Sequence, residues 1–339
     1  MAHEGPHEGP RLPAARGPLS GAVRAYLLGA GPLPPAEAVA GAPVYGDDLQ
    51  LALYLCYELH YRGFAGVSPD LEWDPDLLRV RAALEHRFLT ALRADTPVHD
   101  SLDEALAELL VEPVQGTGVS HFLRDDGELW HLREYAAQRS LYHLKEADPH
   151  AWVLPRLWGR AKAAMAAVEF DEYGGGRADR VHARLFANLM TDLGLDTTYG
   201  RYLDAACAET LATVNLMSLL GLHRSLRGAL VGHFAAVEIT SSPGSRRLAE
   251  AMRRTDAGPA AAYFYDEHVE ADAVHEQVVR HDVIGGLLEE EPQLAPDIAF
   301  GIDVTGLLED RLAARLLSSW RAGISSLYTP LHTQMAHIS

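Results

Sequence analysis

Cysteine is nearly missing from this chain. Cys56 and Cys207 are too few for a disulfide framework or a thiolate metal cluster, which fits a reducing cytoplasm. No block of lysine and arginine occurs, and the formal net charge is −18. A surface that could displace counterions from phosphates is therefore lacking, and a nucleic-acid partner is excluded. No apolar run approaches the length of a membrane span, so no membrane partner is expected. The start has no basic residues followed by an apolar run, so no secretory leader is expected. Strand-like alternation with hairpin signals is also missing. What remains is an all-α protein, expected in the cytoplasm.

With 339 residues, 48% of them apolar, the chain can bury a large core in one or two domains. Residues 1–44 are rich in Pro, Gly and Ala and open with a repeated His-Glu-Gly-Pro, a composition that predicts a disordered tail with a short helix near 22–28. Helical patterning begins at Asp47 and covers 47–61, 77–93 and 101–110, a preface spanning 45–119. From 120 to 328 a core bundle is expected, with helices over 128–147, 154–171, 177–193, 199–206, 209–220, 222–240, 245–254, 259–288 and 299–327, then a tail from 329 to 339. Gly174-Gly175-Gly176 interrupts this series, because three glycines in a helix cost roughly 3 kcal/mol at about 1 kcal/mol each.

The most informative segment runs from Tyr265 to Glu276. His268, Asp272 and His275 stand at i, i+4 and i+7, which a helix places on one stripe. Two imidazoles and a carboxylate are poor core material without partners but suit a metal that takes nitrogen and oxygen ligands. Asp179-Arg180-Val181-His182 repeats the Asp-x-x-His spacing of Asp272 to His275. Paired acid-x-x-His motifs on two helices are one way helical bundles build two-iron sites, although the usual acid there is Glu. The plain alternative is a pair of solvated helix faces in an acidic, His-rich protein.

Four stretches together carry a family resemblance: His-Leu-Lys-Glu-Ala-Asp-Pro-His at 143–150, Glu-Phe-Asp-Glu-Tyr-Gly-Gly-Gly-Arg at 169–177, Asp-Arg-Val-His at 179–182 and His-Val-Glu-Ala-Asp-Ala-Val-His at 268–275. In this ordered set the chain resembles the heme-oxygenase-like diiron oxidases, also labelled iron-containing redox enzymes. The resemblance spans roughly 120–325 and implies a heme-oxygenase-like helical bundle with additional N-terminal helices. It implies one iron on Glu146, His182 and His268 and a second on Glu172, Asp272 and His275, with Glu146 or the mobile-carboxylate position Asp179 able to bridge or move in. Glu169 competes with Glu172 for its place, because the glycine break leaves their relative rotation open.

These residues would act as the catalytic centre, with two Fe(II)/Fe(III) ions, dioxygen as co-substrate and no heme. The expected reaction is N-oxygenation of an amino acid or related amine through a peroxo-diferric intermediate, with an external electron donor. Oxidative C–C cleavage or desaturation of an amino or fatty acid is the runner-up, followed by iron binding without catalysis. A relative of the thiamine-salvage hydrolases would need a catalytic Cys, and Cys207 has no nearby His. Asn215 and Glu238, polar residues in otherwise apolar helices, and Arg224, able to pair with a carboxylate, are candidate substrate contacts. The preface helices offer apolar faces that point to a homodimer.

Overall fold

The computed structural model describes residues 9–97, 99–111 and 116–331, without the side chains of Asp272 and Ala273. The described residues are mostly helical and include no strand. They divide into two compact units, Met1–Asp95 with Thr198–Asn215 and Leu327–Ser339, and Thr96–Thr197 with Leu216–Ser326.

In the first unit, α1 (Pro18–Leu27) lies inside the stretch expected to be a disordered tail. Leu19, Val23 and Leu27 recur every four residues and are buried against α3 (Asp47–Glu58). Gly17 offers α1 no side-chain cap. Instead the Asp48 carboxylate accepts from Leu19 N at 2.9 Å and from Ser20 N at 2.7 Å, satisfying two donors of the first turn. α1 overlaps the short helix expected near 22–28, and its cap, supplied from another helix, is invisible to local composition. α2 (Ala36–Gly41) and α4 (Pro75–Asp95) follow, and the Arg87 guanidinium donates to Ala42 O at 2.9 Å. Residues 199–206, expected to be a helix, form a run of turns.

The second unit holds α5 (Leu102–Leu109), α6 (Val119–Asp125), α7 (Leu129–His143), the single-turn α8 (Asp148–Ala151), α9 (Gly159–Glu172) and α10 (His182–Asp192). α11 (Ala208–Leu222) passes along the sequence from the first unit into the second. α12 (Arg227–Arg254), α13 (Pro259–Val278), α14 (Gly285–Glu290) and α15 (Ala295–Arg321) complete it, with a π-helical turn, Val279–Ile284, joining α13 to α14. α12 is central and packs on both α13 and α15. It runs unbroken through Pro243, where two separate helices were expected. An interior proline costs about 3 kcal/mol, but Glu238, Ile239, Ser245 and Leu248 are buried on either side of it, so packing outweighs the lost backbone bond.

Two other departures matter for the site. α7 stops at His143 and Glu146 lies in the turn that follows, next to Ala147, whose φ of 74° is strained for a residue with a Cβ. After α9 the glycine stretch turns the chain, with Gly174 at φ 79° and so close to Val181 that an added Cβ would lie 2.6 Å from its nitrogen. α10 therefore begins at His182, so Asp179 lies in the preceding loop and does not share a helix face with it.

Glu134 of α7 fastens the end of α15. Its buried carboxylate accepts from Trp320 Nε1 at 3.0 Å, Ser326 N at 2.9 Å and Ser326 Oγ at 2.7 Å. Glu134→Ala strands the indole and backbone donors and should cost about 2–6 kcal/mol, at 1–3 kcal/mol per unsatisfied group. A fall in the urea midpoint with an unchanged slope would show it, whereas an unshifted midpoint would deny the carboxylate this role. No helix among the described residues is long and apolar enough to cross a membrane.

Candidate metal centre

The ends of α7, α9 and α10 and the middle of α13 converge on a buried set of carboxylates and imidazoles. His268 of α13 lies 2.7 Å through Nδ1 from the Phe264 carbonyl, one turn earlier on its own helix. A carbonyl only accepts, so Nδ1 carries the proton and Nε2 the lone pair, which faces Glu146 Oε1 at 3.7 Å. His182 opens α10 with Nδ1 2.7 Å from Glu172 Oε2, at the close of α9. The His182 and His268 rings are 4.5 Å apart. Glu146, Glu172, His182 and His268 thus each offer one ligand atom, all within 4.8 Å of one another.

A second group stands beside the first. Glu172, Glu238 and His275 meet the same 4.8 Å limit, so Glu172 belongs to both. His275 Nδ1 is 3.1 Å from Glu238 Oε2 and 3.7 Å from Glu172 Oε1, and its Nε2 lies 3.4 Å from Asp171 Oδ2. Asp272 occupies the same helix between His268 and His275, and its side chain lies outside the described residues.

Four buried acids, Glu146, Glu169, Glu172 and Glu238, gather where little water can screen them. Burial, then the charges of Glu172 and Glu238, pushes the Glu169 carboxyl up to about 9. Burial acts the same way on Glu146, but His143, 2.7 Å away through Nδ1, overcomes it and holds that carboxyl well below the usual range. For His182, burial works against the charged ring, and the bond to Glu172 more than offsets it, so its value is raised. Glu146 Oε2 and both oxygens of Glu169 are buried without a hydrogen-bond partner among the described residues. A polar cluster left incomplete by protein groups alone fits bound cations. The donor set, oxygen and nitrogen with no thiolate, fits iron.

Glu169 gives this electrostatic picture a pH test. Its folded-state value lies above its unfolded value, so it supports folding fully below the ordinary carboxylate value of 4.5 and loses that support as pH rises through about 9. In metal-free protein at pH 7, Glu169→Gln should therefore raise the urea midpoint, and the gain should vanish below pH 4.5. A gain of equal size at both pH values would mean that ionisation of the buried Glu169 carboxyl is not its source.

The sequence-derived candidates separate in three dimensions. Glu146, Glu172, His182, His268 and His275 come together. Asp179 is exposed and pairs with Arg177 at 3.1 Å. Asn215 is fully buried and donates to Gln50 O at 2.9 Å and Gln50 Oε1 at 2.8 Å. Arg224 lies in the short turn Arg224–Leu226 and is not among the residues of the cavity described next. Glu238, expected to touch substrate, belongs to the second ligand group. Glu169 is absent from both groups. His143 was overlooked as a residue in its own right; its signal was the spacing of three to Glu146, which only the turn after α7 turns into a contact. A cavity of about 410 Å³ adjoins the ligands, and its wall includes Tyr142, His143, Glu146, Glu172, Glu238 and His268.

The pattern of a family described as iron-containing redox enzymes matches residues 133–309, more than half of the chain. Nitrosourea synthase from Streptomyces achromogenes subsp. streptozoticus is 27% identical over 161 residues, 47% of this chain. The match spans about a third of that relative's own length, 34%.

Proposed function

Since the chain belongs to the iron-containing redox enzymes, we propose that it is a non-heme diiron oxidase that activates dioxygen and oxygenates the nitrogen of an amino acid or related amine. The observation that carries this reading is the pair of buried ligand groups sharing Glu172. Glu146, His182 and His268 would hold one iron and Glu238 and His275 the other, with Glu172 common to both and Asp272 a further ligand as the resemblance implies. Iron held by these residues would supply the electrons for reducing dioxygen, to be restored by an external donor.

The protein's own groups do the rest. The Phe264 carbonyl fixes the tautomer of His268, and His143 orients Glu146. Tyr142 Oη keeps its proton, because burial and then Glu146 and Glu172 push that hydroxyl well above its ordinary value. It can therefore donate a hydrogen bond, and His150 Nδ1 on the same cavity wall lies 3.4 Å from it. The acidic wall draws in a cationic amine. The nitrogen chemistry is favoured by the relative, since a nitrosourea carries oxygen on nitrogen.

Anaerobic Fe(II) titration followed by exposure to labelled dioxygen tests the reading. Two equivalents per chain are expected, reduced in His182→Ala and His275→Ala, with label recovered on the nitrogen of an amine substrate. One equivalent or none would overturn the diiron reading. Two equivalents with a cleaved or desaturated carbon skeleton would replace N-oxygenation by C–H chemistry. Iron oxidation with no organic product across the amines and acids tried would leave an iron-binding protein.

A further inference from the structure

Where the chain enters α5, a histidine is gripped by acids on two helices. His99 Nδ1 is 2.6 Å from Asp303 Oδ1 of α15, and its Nε2 is 2.7 Å from Glu108 Oε2 of α5. The His99 main-chain nitrogen adds a third bond, donating to Asp303 Oδ2 at 3.0 Å. The two carboxylates stand at opposite nitrogens of the ring, so they form no chelate for a cation, and neither ligand group includes any of the three residues. An ionised carboxylate only accepts, so both contacts are hydrogen bonds only when both ring nitrogens carry protons. The ring is therefore an imidazolium in this conformation. The bond to Glu108, then that to Asp303, raises its pKa above the ordinary value of 6.5. Little else holds α5. Its eight residues are too few to persist as an isolated helix, and Ala105 is the one residue of it that is buried. Glu108 stands in the last turn, where the helix end is itself negative and a carboxylate disfavours the helix unless a cation covers it. One residue further on, Leu109 lines the cavity, as do Ile302 and Thr305, close to Asp303 on α15.

We propose that His99 is a pH-sensitive clasp: with its ring protonated it ties α5 to α15 and holds Leu109 in the cavity wall, and with the proton gone it lets α5 loosen. The charged groups that face the ring, Glu108 from α5 and Asp303 from α15, are both acidic, and both favour the charged form. Loss of one proton leaves a single N–H for two carboxylates. Asp303 keeps it, since its side chain is only 3% exposed and already accepts from the main chain of residue 99. Glu108, whose side chain is 75% exposed, then meets a lone pair and turns to water. The tie between the helices breaks at that bond, and the carboxylate left in the last turn of α5 weakens the helix it belongs to. The direction with pH follows from the raised value. The clasp contributes fully below 6.5 and is lost as pH rises through the higher value of the folded state.

Hydrogen exchange of the full chain, read by mass spectrometry over residues 102–109 from about pH 5.5 to about pH 9, tests the clasp. After correction for the intrinsic pH dependence of amide exchange, protection of this segment should fall by at least about threefold as pH rises. That size is in keeping with an ion pair partly open to water. Residues 308–321 of α15 should hold their protection over the same range. His99→Ala should show the low protection at every pH. Glu108→Gln should keep the high protection at every pH, because an amide can accept from the protonated ring and donate to the neutral one. Protection of 102–109 that does not change with pH in the wild type, an equal change in Glu108→Gln, or a change shared equally by 308–321 would each overturn the proposal. If His99→Ala does not fold, the wild type and Glu108→Gln, altered only at an exposed side chain, decide alone.

Discussion

Replacing Glu172 with alanine is expected to remove iron from both positions at once. The reason is geometric, because its carboxylate stands in both ligand groups, 2.7 Å through Oε2 from His182 Nδ1 and 3.7 Å through Oε1 from His275 Nδ1. Loss of a group that merely supports a ligand typically costs 10–100-fold in metal affinity, and loss of a shared ligand should exceed that, on the order of 100-fold or more at each position. His275→Ala offers the contrast. It removes a member of the second group and leaves Glu146, Glu172, His182 and His268 intact, so about one equivalent of Fe(II) should remain. Metal content after desalting distinguishes the two variants. A Glu172→Ala protein that still holds one tightly bound iron would show that the groups are independent and that Glu172 is not a bridge.

The second large effect concerns the frame that carries the site. α12 and α15 cross backbone to backbone: a Cβ on Gly232 would lie 1.9 Å from Ile298 O, and one on Gly301 would lie 2.0 Å from Ala229 O. Neither carbonyl can yield, because each belongs to a helical backbone. Gly232→Ala therefore forces the helices apart, at a cost near the upper end of overpacking, about 3 kcal/mol. The melting temperature should fall by roughly 6–12 °C at 2–4 °C per kcal/mol. Gly306 on α15 supplies the control, since an added Cβ there meets nothing within 4 Å. Gly306→Ala should stabilise by about 0.5–1 kcal/mol through helix propensity. Equal effects at the two positions would mean that the crossing is not close-packed.

Much of this could be read in the sequence, for identifiable reasons. His268 and His275 lie on one helix, so their spacing alone places them on one stripe. Absence of strand alternation was enough for the all-α class, because that signal is local. Glu238 was out of reach as a ligand, since only the packing of α12 on α13 brings it to His275. The same holds for Asp48, whose role at α1 depends on a contact 28 residues away in sequence. Asp179 misled because its spacing to His182 matches a helical motif, whereas the turn after Gly174 starts the helix three residues later. Glu146 was found through the family pattern; the stop of α7 at His143 removes any periodicity that could have pointed to it.

The endings of the helices give the centre a charge of their own. Glu172 is the last residue of α9, and Glu146 follows α7 by three residues, so two C-terminal ends lie beside the ligands. Each such end carries about half a negative charge from its aligned peptide dipoles, and the start of α10 at His182 returns about half a positive one. The main chain thus leaves roughly half a negative charge at the junction before any side chain ionises. Mutating the carboxylates would not erase it. The backbone itself sets this part of the fold as a cation sink, and the acids deepen a potential that the helix termini have already laid down.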